Sequence, residues 1–241
     1  MLVEVICNDD NSLVLEVLDD VSALLPFKSV LMKWKEEVYF STPYSAKLES
    51  LSASAQAIPG KVYYWPPEKA FCIFYGFSEP YSEIYLIGSY VGPLSRVRMI
   101  PPGEIKVVNH IIDGELLEIS NIFSKLGYLV ATPLEGGKRV SVASKHIGDV
   151  RVAFTAIKED FGMYIESDSF YYFINSFEGV RTTFKFKNKL KAMATTARFD
   201  LNEDGYTCLT AIVRNLKDLE VVVKELERAY QYVYRELTYT P

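Results

Sequence analysis

Few residues in this chain have the types and spacing to do chemistry. His146 has Ser141, Ser144 and Asp149 close by in sequence, and a hydroxyl, an imidazole and a carboxylate are the parts of a nucleophilic triad. A fold, not adjacency in sequence, brings triad members together, so a surface turn ahead of Gly148 accounts for these residues more simply. The other histidine, His110, has no second histidine or cysteine nearby and makes no metal site. Cys7, Cys72 and Cys208 are odd in number, far apart and without Cys-x-x-Cys spacing. That pattern argues against a zinc site or disulfide framework and fits free, partly buried thiols in a reducing cytoplasm. Gly136-Gly137 lacks the rest of a phosphate-binding loop and reads as a hairpin turn. No metal and no cofactor are expected.

Binding surfaces have more candidates. Lys185, Lys187, Lys189 and Lys191 alternate with Phe184, Phe186 and Leu190, so a strand through them sets four amines on one face. Such a face attracts phosphate, and it is also how an edge strand discourages aggregation, which is the favoured reading. Phe170-Tyr171-Tyr172-Phe173 has the rings of a base-stacking platform, but a two-sided strand with one face in the core is the commoner explanation. The chain carries 26 Lys and Arg against 31 Asp and Glu, and residues 1–108 carry 9 against 13. A nucleic-acid partner is therefore not expected, since such binders neutralise phosphates with basic side chains. Tyr230, Tyr232, Tyr234 and Tyr239 exceed what one apolar helix stripe needs, which raises the expectation of packing against another copy or another protein.

The elements that position these groups fall into two parts. A chain of 241 residues with 49% hydrophobic and 24% charged residues is ordinary globular material, and two domains are the expectation at this length. Aromatic content of 14%, mostly Tyr and Phe, leans towards β structure. No stretch approaches the roughly 20 apolar residues that span a bilayer, and Met1 to Val5 has no basic region ahead of an apolar run, so a soluble cytoplasmic protein with no membrane partner is expected.

In the first part, Leu2 to Cys7 and Ser12 to Leu18 flank Asn8-Asp9-Asp10-Asn11 as a hairpin. Asp19 or Asp20 caps a short helix that Pro26 ends. Phe27 to Trp34 and Glu37 to Phe40 are strands about a tight Lys35-Glu36 turn, and Tyr44 to Pro59 is a connection without a period. Trp65-Pro66-Pro67 is a rigid corner: proline fixes φ, removes a donor and pushes the preceding residue into extended geometry, so Trp65 is pinned at a strand end before the apolar run Phe71 to Tyr75. Ile84 to Val91 and Val97 to Ile100 are further strands. Pro101-Pro102-Gly103 then punctuates the chain, and the boundary is placed near Asn109, giving domains 1–108 and 109–241.

The second part opens with a helix over Gly114 to Leu126, its apolar residues at spacings of three and four. Seven strands follow in Arg139–Ala143, Val150–Lys158, Met163–Glu166, Phe170–Ile174, Thr182–Phe186, Ala192–Asp200 and Tyr206–Val213. A long helix begins at Asn215, whose amide is expected to cap it, and carries Leu216, Leu219, Val222, Val223, Leu226 and Tyr230 in one stripe. The expected architecture is an α+β domain, an antiparallel sheet flanked by helices.

Three segments in order, Leu25-Pro26-Phe27-Lys28-Ser29-Val30, Glu36-Glu37-Val38-Tyr39-Phe40-Ser41-Thr42-Pro43 and Tyr63-Tyr64-Trp65-Pro66-Pro67 running into Phe71-Cys72-Ile73-Phe74, resemble a small prokaryotic cyclophilin-like family over about residues 1–107. The resemblance implies a closed, mainly antiparallel β-barrel with a short helix. It implies no activity, since a fold hosts many functions. Where isomerases of this fold carry Phe-His-Arg, the chain has Val38-Tyr39-Phe40-Ser41. Ala70 stands for their glutamine, and the nearest cation is Lys69, a flexible point charge in place of a planar fork. The barrel mouth so placed gathers Glu37, Tyr39, Trp65, Glu68, Lys69, Phe74 and Tyr75 as candidate ligand-binding residues, with no catalytic set identified. A noncatalytic protein that binds a peptide or small molecule is the first expectation. A weak prolyl isomerase and a scaffold whose rings merely plug the barrel are the alternatives.

Overall fold

The chain is described here by a computed structural model covering residues 1–238, in two units: residues 1–115 with 131–139, and residues 116–130 with the chain from Val140. The return of residues 131–139 to the first unit is a crossing that a boundary near Asn109 alone leaves out.

The first unit contains β1 (Leu2–Ile6), β2 (Ser12–Val17), β3 (Phe27–Trp34), β4 (Glu37–Ser41), β5 (Ala53–Ser54), β6 (Lys61–Trp65), β7 (Ala70–Phe74), β8 (Ile84–Val91), the short helix α1 (Leu94–Met99) and β9 (Gly103–Asn109). Eight strands run antiparallel in the order β2-β1-β9-β3-β4-β7-β6-β8, and β8 pairs back onto β2, so the sheet closes into a barrel while β5 adds to the start of β8. At the seam Gly88 faces Val17 and Val62 together, and a Cβ there would lie 2.0 Å from the Glu16 carbonyl oxygen. Only a residue without a side chain lets β8 lie that close to β2.

Strand alternation decides the interior: Val5, Leu15, Val38, Phe40, Phe71 and Ile73 fill it. The opening hairpin forms as expected, with Asn8 Oδ1 accepting from the Asp10 and Asn11 backbone N–H groups. The Lys35-Glu36 turn also forms, with Lys35 at φ 53°. Asp20 does accept the Ser22 N–H, but only a 3-10 turn over Ser22–Leu24 follows. The strand expected over Val97–Ile100 is instead the end of α1. Val97 and Ile100 are three apart and both pack into the barrel core, a helical spacing rather than an alternating one.

The chain continues through α2 (Leu117–Lys125) and β10 (Leu129–Ala131) into the two-residue strands β11 (Leu134–Glu135) and β12 (Lys138–Arg139), which form a hairpin about Gly136-Gly137, both at positive φ. Next come β13 (Ser141–Ile147), β14 (Val150–Glu159), β15 (Gly162–Ser167), α3 (Phe177–Met193), β16 (Arg198–Leu201), β17 (Thr207–Val213) and α4 (Leu219–Thr238). The sheet order is β10-β13-β14-β15-β17-β16, and α2, α3 and α4 pack on one of its faces through Phe123, Phe186, Leu190, Leu226 and Val233. This is the α+β architecture expected, with local differences.

Thr182–Phe186 is helical, not a strand. Phe186 and Leu190, four apart, are the buried residues of α3, and the lysines fall to either side of that stripe, so neither the phosphate face nor the guarded edge strand exists. Phe170–Ile174 makes one isolated bridge, Tyr172 to Tyr206, and Phe170 stacks 4.7 Å from Tyr230, as a core contact rather than a base platform. Ala192–Asp200 contributes strand only from Arg198. Asn215 makes no side-chain cap; a 3-10 turn over Leu216–Asp218 leads into α4. Tyr230 is buried, and Tyr232 and Tyr234 pack against the same core, so these three rings are not an exposed cluster; Tyr239 lies outside the described residues. Among the described residues no helix is long and apolar enough to cross a membrane.

Candidate functional site

Outward-facing residues of β3, β4 and β6, the start of β8 and the loop before it build a cavity of about 220 Å³ lined by Trp34, Glu37, Tyr39, Trp65, Pro80, Tyr81 and Ile84. Register explains the grouping. The two-residue turn sets Trp34 directly opposite Glu37, and across the next pair Glu37 faces Phe74 and Tyr39 faces Cys72. These positions alternate with Val38, Phe40, Phe71 and Ile73 of the barrel interior, so the cavity stands on the outer wall and not at the mouth. Tyr63, Cys72, Phe74 and Ile84 form the buried layer beneath it.

Rings make most of the wall. Tyr39 and Trp65 meet edge to face at 6.4 Å, and Trp34 and Tyr81 at 6.5 Å. Trp65 is extended at φ −108° and ψ 108°, as the following proline requires, and its indole Nε1–H donates to Ser82 Oγ at 2.7 Å. Backbone and side chain are thus both held.

Glu37 is the polar element. It is 6% exposed, and burial raises its pKa while a hydrogen bond from the Cys72 thiol opposes that rise. Among the described residues no cationic side chain forms an ion pair with it. Burial, then Glu68 and Glu37, raise the Tyr39 phenol, and burial with the Glu37 carboxylate raises the Cys72 thiol. The site is therefore apolar in area and negative in field. The Lys35 ammonium lies 4.1 Å from the centre of the Trp34 ring, on the turn beside the cavity.

Of the residues singled out from sequence, Glu37, Tyr39 and Trp65 line the cavity and Phe74 lies under it. Glu68 and Lys69 are exposed on the turn after Trp65, with Lys69 left-handed at φ 49°, and neither lines the cavity. Tyr75 belongs to the barrel core, its hydroxyl donating to the Lys35 carbonyl at 3.1 Å. Trp34, Pro80, Tyr81 and Ile84 were missed. The turn that sequence reasoning had located already implied that Trp34 faces Glu37, whereas nothing local marks Tyr81, which arrives from a loop.

A second polar cluster on the first unit has a different character. Glu4 on β1 is 3% exposed and receives hydrogen bonds from Ser12 Oγ at 2.6 Å, from His110 Nδ1 at 3.0 Å and from Arg139. The Thr132 N–H donates to His110 Nε2 at 3.1 Å, which makes Nε2 the acceptor and leaves the proton on Nδ1, towards Glu4. The Leu134 N–H donates to Ser12 Oγ at 2.8 Å, so the cluster fastens the β11–β12 hairpin to the barrel. Arg96 holds the same hairpin through Glu135 and the Leu134 carbonyl. Burial opposes ionisation of Glu4, but its three donors outweigh it and hold the carboxyl down at about 2. His110 is thus a structural group with every ring nitrogen used. On β13 Ser141 and Ser144 lie on opposite faces and are both buried, and His146 is exposed towards the strand's far end. The three cysteines form no disulfide, and burial pushes the Cys7 thiol up to about 12.

Residues 3–109 match the family described as cyclophilin-like. The solution structure of a hypothetical protein from Archaeoglobus fulgidus is similar at 21% identity and a TM-score of 0.37, over 45% of this chain and 94% of that one. No curated protein matches.

Proposed function

We propose that the cyclophilin-like domain over residues 3–109 is a noncatalytic binding module that admits a side-chain-sized group of a peptide or small molecule into the cavity on its outer wall. The observation that carries this reading is the cavity's lining, four rings around one buried carboxyl, with no guanidinium among them. Proline isomerisation by the cyclophilin route needs a fixed cationic donor beside the twisting amide. Two of this unit's arginines are committed elsewhere, Arg96 to Glu135 and Arg139 to Glu4. At about 220 Å³ the cavity is below the roughly 300–1,000 Å³ of pockets that take drug-sized ligands, which sets the scale of the group admitted.

The test is titration of the full chain with peptide and metabolite mixtures, followed by the indole and amide resonances. Saturable shifts at Trp34 and Trp65 that vanish in Trp65→Ala are expected. Silence of both indoles across the mixtures removes the binding role, and a protease-coupled proline-peptide assay in which rate rises with protein concentration restores the isomerase. The second unit supplies assembly or a second site. Self-association through α4 has to use its exposed Val221 and Leu237, and a strict monomer at high concentration in light scattering removes that version.

A further inference from the structure

We infer that the occupant of the outer-wall cavity is the methylated ammonium head of a small organic cation, an inference that rests on the binding role proposed above. The lining has the two components that recognise such a head. Aromatic rings attract cations through the negative charge of their faces, and rings set around a small cavity are the usual receptor for quaternary ammonium groups. Trp34, Tyr39, Trp65 and Tyr81 supply four rings here. The Lys35 ammonium lies 4.1 Å from the centre of one of them, Trp34, which leaves Tyr39, Trp65 and Tyr81 with Glu37 as the part of the lining that meets the head.

Glu37 supplies the second component. The carboxyl of a residue only 6% exposed, with a thiol as its donor and no cationic partner among the described residues, costs free energy when ionised, and a cation in the cavity offsets that cost. The same carboxyl, with Glu68 close enough to act on Tyr39, repels phosphates and carboxylates. A primary ammonium or a guanidinium would need several acceptors to replace its water. A methylated head needs none, and Glu37 is the single carboxyl among the lining residues.

Choline and 3,3-dimethylbutan-1-ol have nearly the same shape and differ in charge, so they separate cation recognition from apolar filling. In titrations of the full chain, choline is expected to shift the Trp34 and Trp65 indoles saturably and to bind at least about tenfold tighter than the alcohol. Glu37→Gln is expected to weaken choline about tenfold and leave the alcohol unchanged. Tyr81→Ala removes a ring that is 84% exposed, so the barrel keeps its fold, and it too is expected to weaken choline. Equal binding of the two probes, or choline binding indifferent to both substitutions, overturns the cation inference and leaves an apolar binding site. The same follows if choline leaves the indoles unmoved while another compound shifts them. If no compound shifts them, the binding role falls as well. A trimethyllysine peptide that binds more than tenfold tighter than choline transfers the head to a polypeptide and overturns the small-cation assignment.

Discussion

Glu4 and Glu37 are carboxyl groups on the outward positions of the same barrel, 3% and 6% exposed, and their acidities move in opposite directions. Glu4 accepts from Ser12, His110 and Arg139, and those donors overcome its desolvation. Glu37 has one weak thiol donor, and desolvation prevails. Burial is nearly equal, so the number and charge of the donors set the sign. A carboxylate whose acceptor capacity is filled by its own chain is a structural clamp, here for the β11–β12 hairpin. One left short of donors beside an open aromatic cavity is the residue on which the proposed binding role turns. Glu225 on α4 is a third case, in the second unit: it accepts from the backbone and hydroxyl groups of Thr195 and Thr196 and the N–H of Ala197, which lower it to about 2 against its burial.

The contrast can be broken by substitution. The largest effect is expected from Glu4→Ala, which strands His110 and Arg139 and lowers unfolding stability by about 3–5 kcal/mol. A loss under about 1 kcal/mol in denaturant unfolding would mean the cluster is solvated. The acid limb follows next. Because the folded pKa of Glu4 is depressed to about 2, its contribution, on the order of 3 kcal/mol, is present above the unfolded value of 4.5 and is lost as pH falls towards 2. Unfolding curves of the wild type and Glu4→Gln should therefore converge between those values, and curves that stay parallel would break the assignment. Glu225→Gln is expected to cost about 1–3 kcal/mol, since loop N–H groups lose a charged acceptor. Local hydrogen exchange at residues 195–197 reads that loss, and unchanged protection would count against it.

The smallest effect has the opposite sign. The folded pKa of Glu37 is raised, so its ionisation costs stability above the unfolded value, and the cost disappears below it. Glu37→Gln should then raise stability at pH 7 by no more than about 1 kcal/mol, with no gain at pH 3. A destabilised Glu37→Gln protein would show that the carboxylate is already satisfied, and the contrast with Glu4 would collapse.

Much of the fold was legible because it is written in short patterns. The Asn8–Asn11 turn, the Lys35-Glu36 turn and the Trp65-Pro66-Pro67 corner each act through backbone geometry within a few residues. The failures are instructive in the same terms. Lysines at every second position from Lys185 suggested a strand, but Phe186 and Leu190 at a spacing of four also fit a helix, and burial of that pair decided it. Val97 and Ile100 fit a short apolar strand by composition, but their spacing of three is helical, and both pack into the core from α1 and its end. Trp34 was within reach of inference, since a two-residue turn opposes its flanking residues. Tyr81 was not, because its loop has no period to follow.

Residue order alone determined most strands of the barrel, the corner that fixes Trp65 and the scarcity of catalytic groups, because alternation, proline geometry and composition are local properties. Only the tertiary structure decided that Trp34, Glu37, Tyr39 and Trp65 share one outward wall, and that Glu4 meets His110 and Arg139 across 106 and 135 residues. Register and barrel closure set those meetings. They depend on which strands pair at long range, and the energy of that pairing is spread over the whole sheet rather than carried by any one segment.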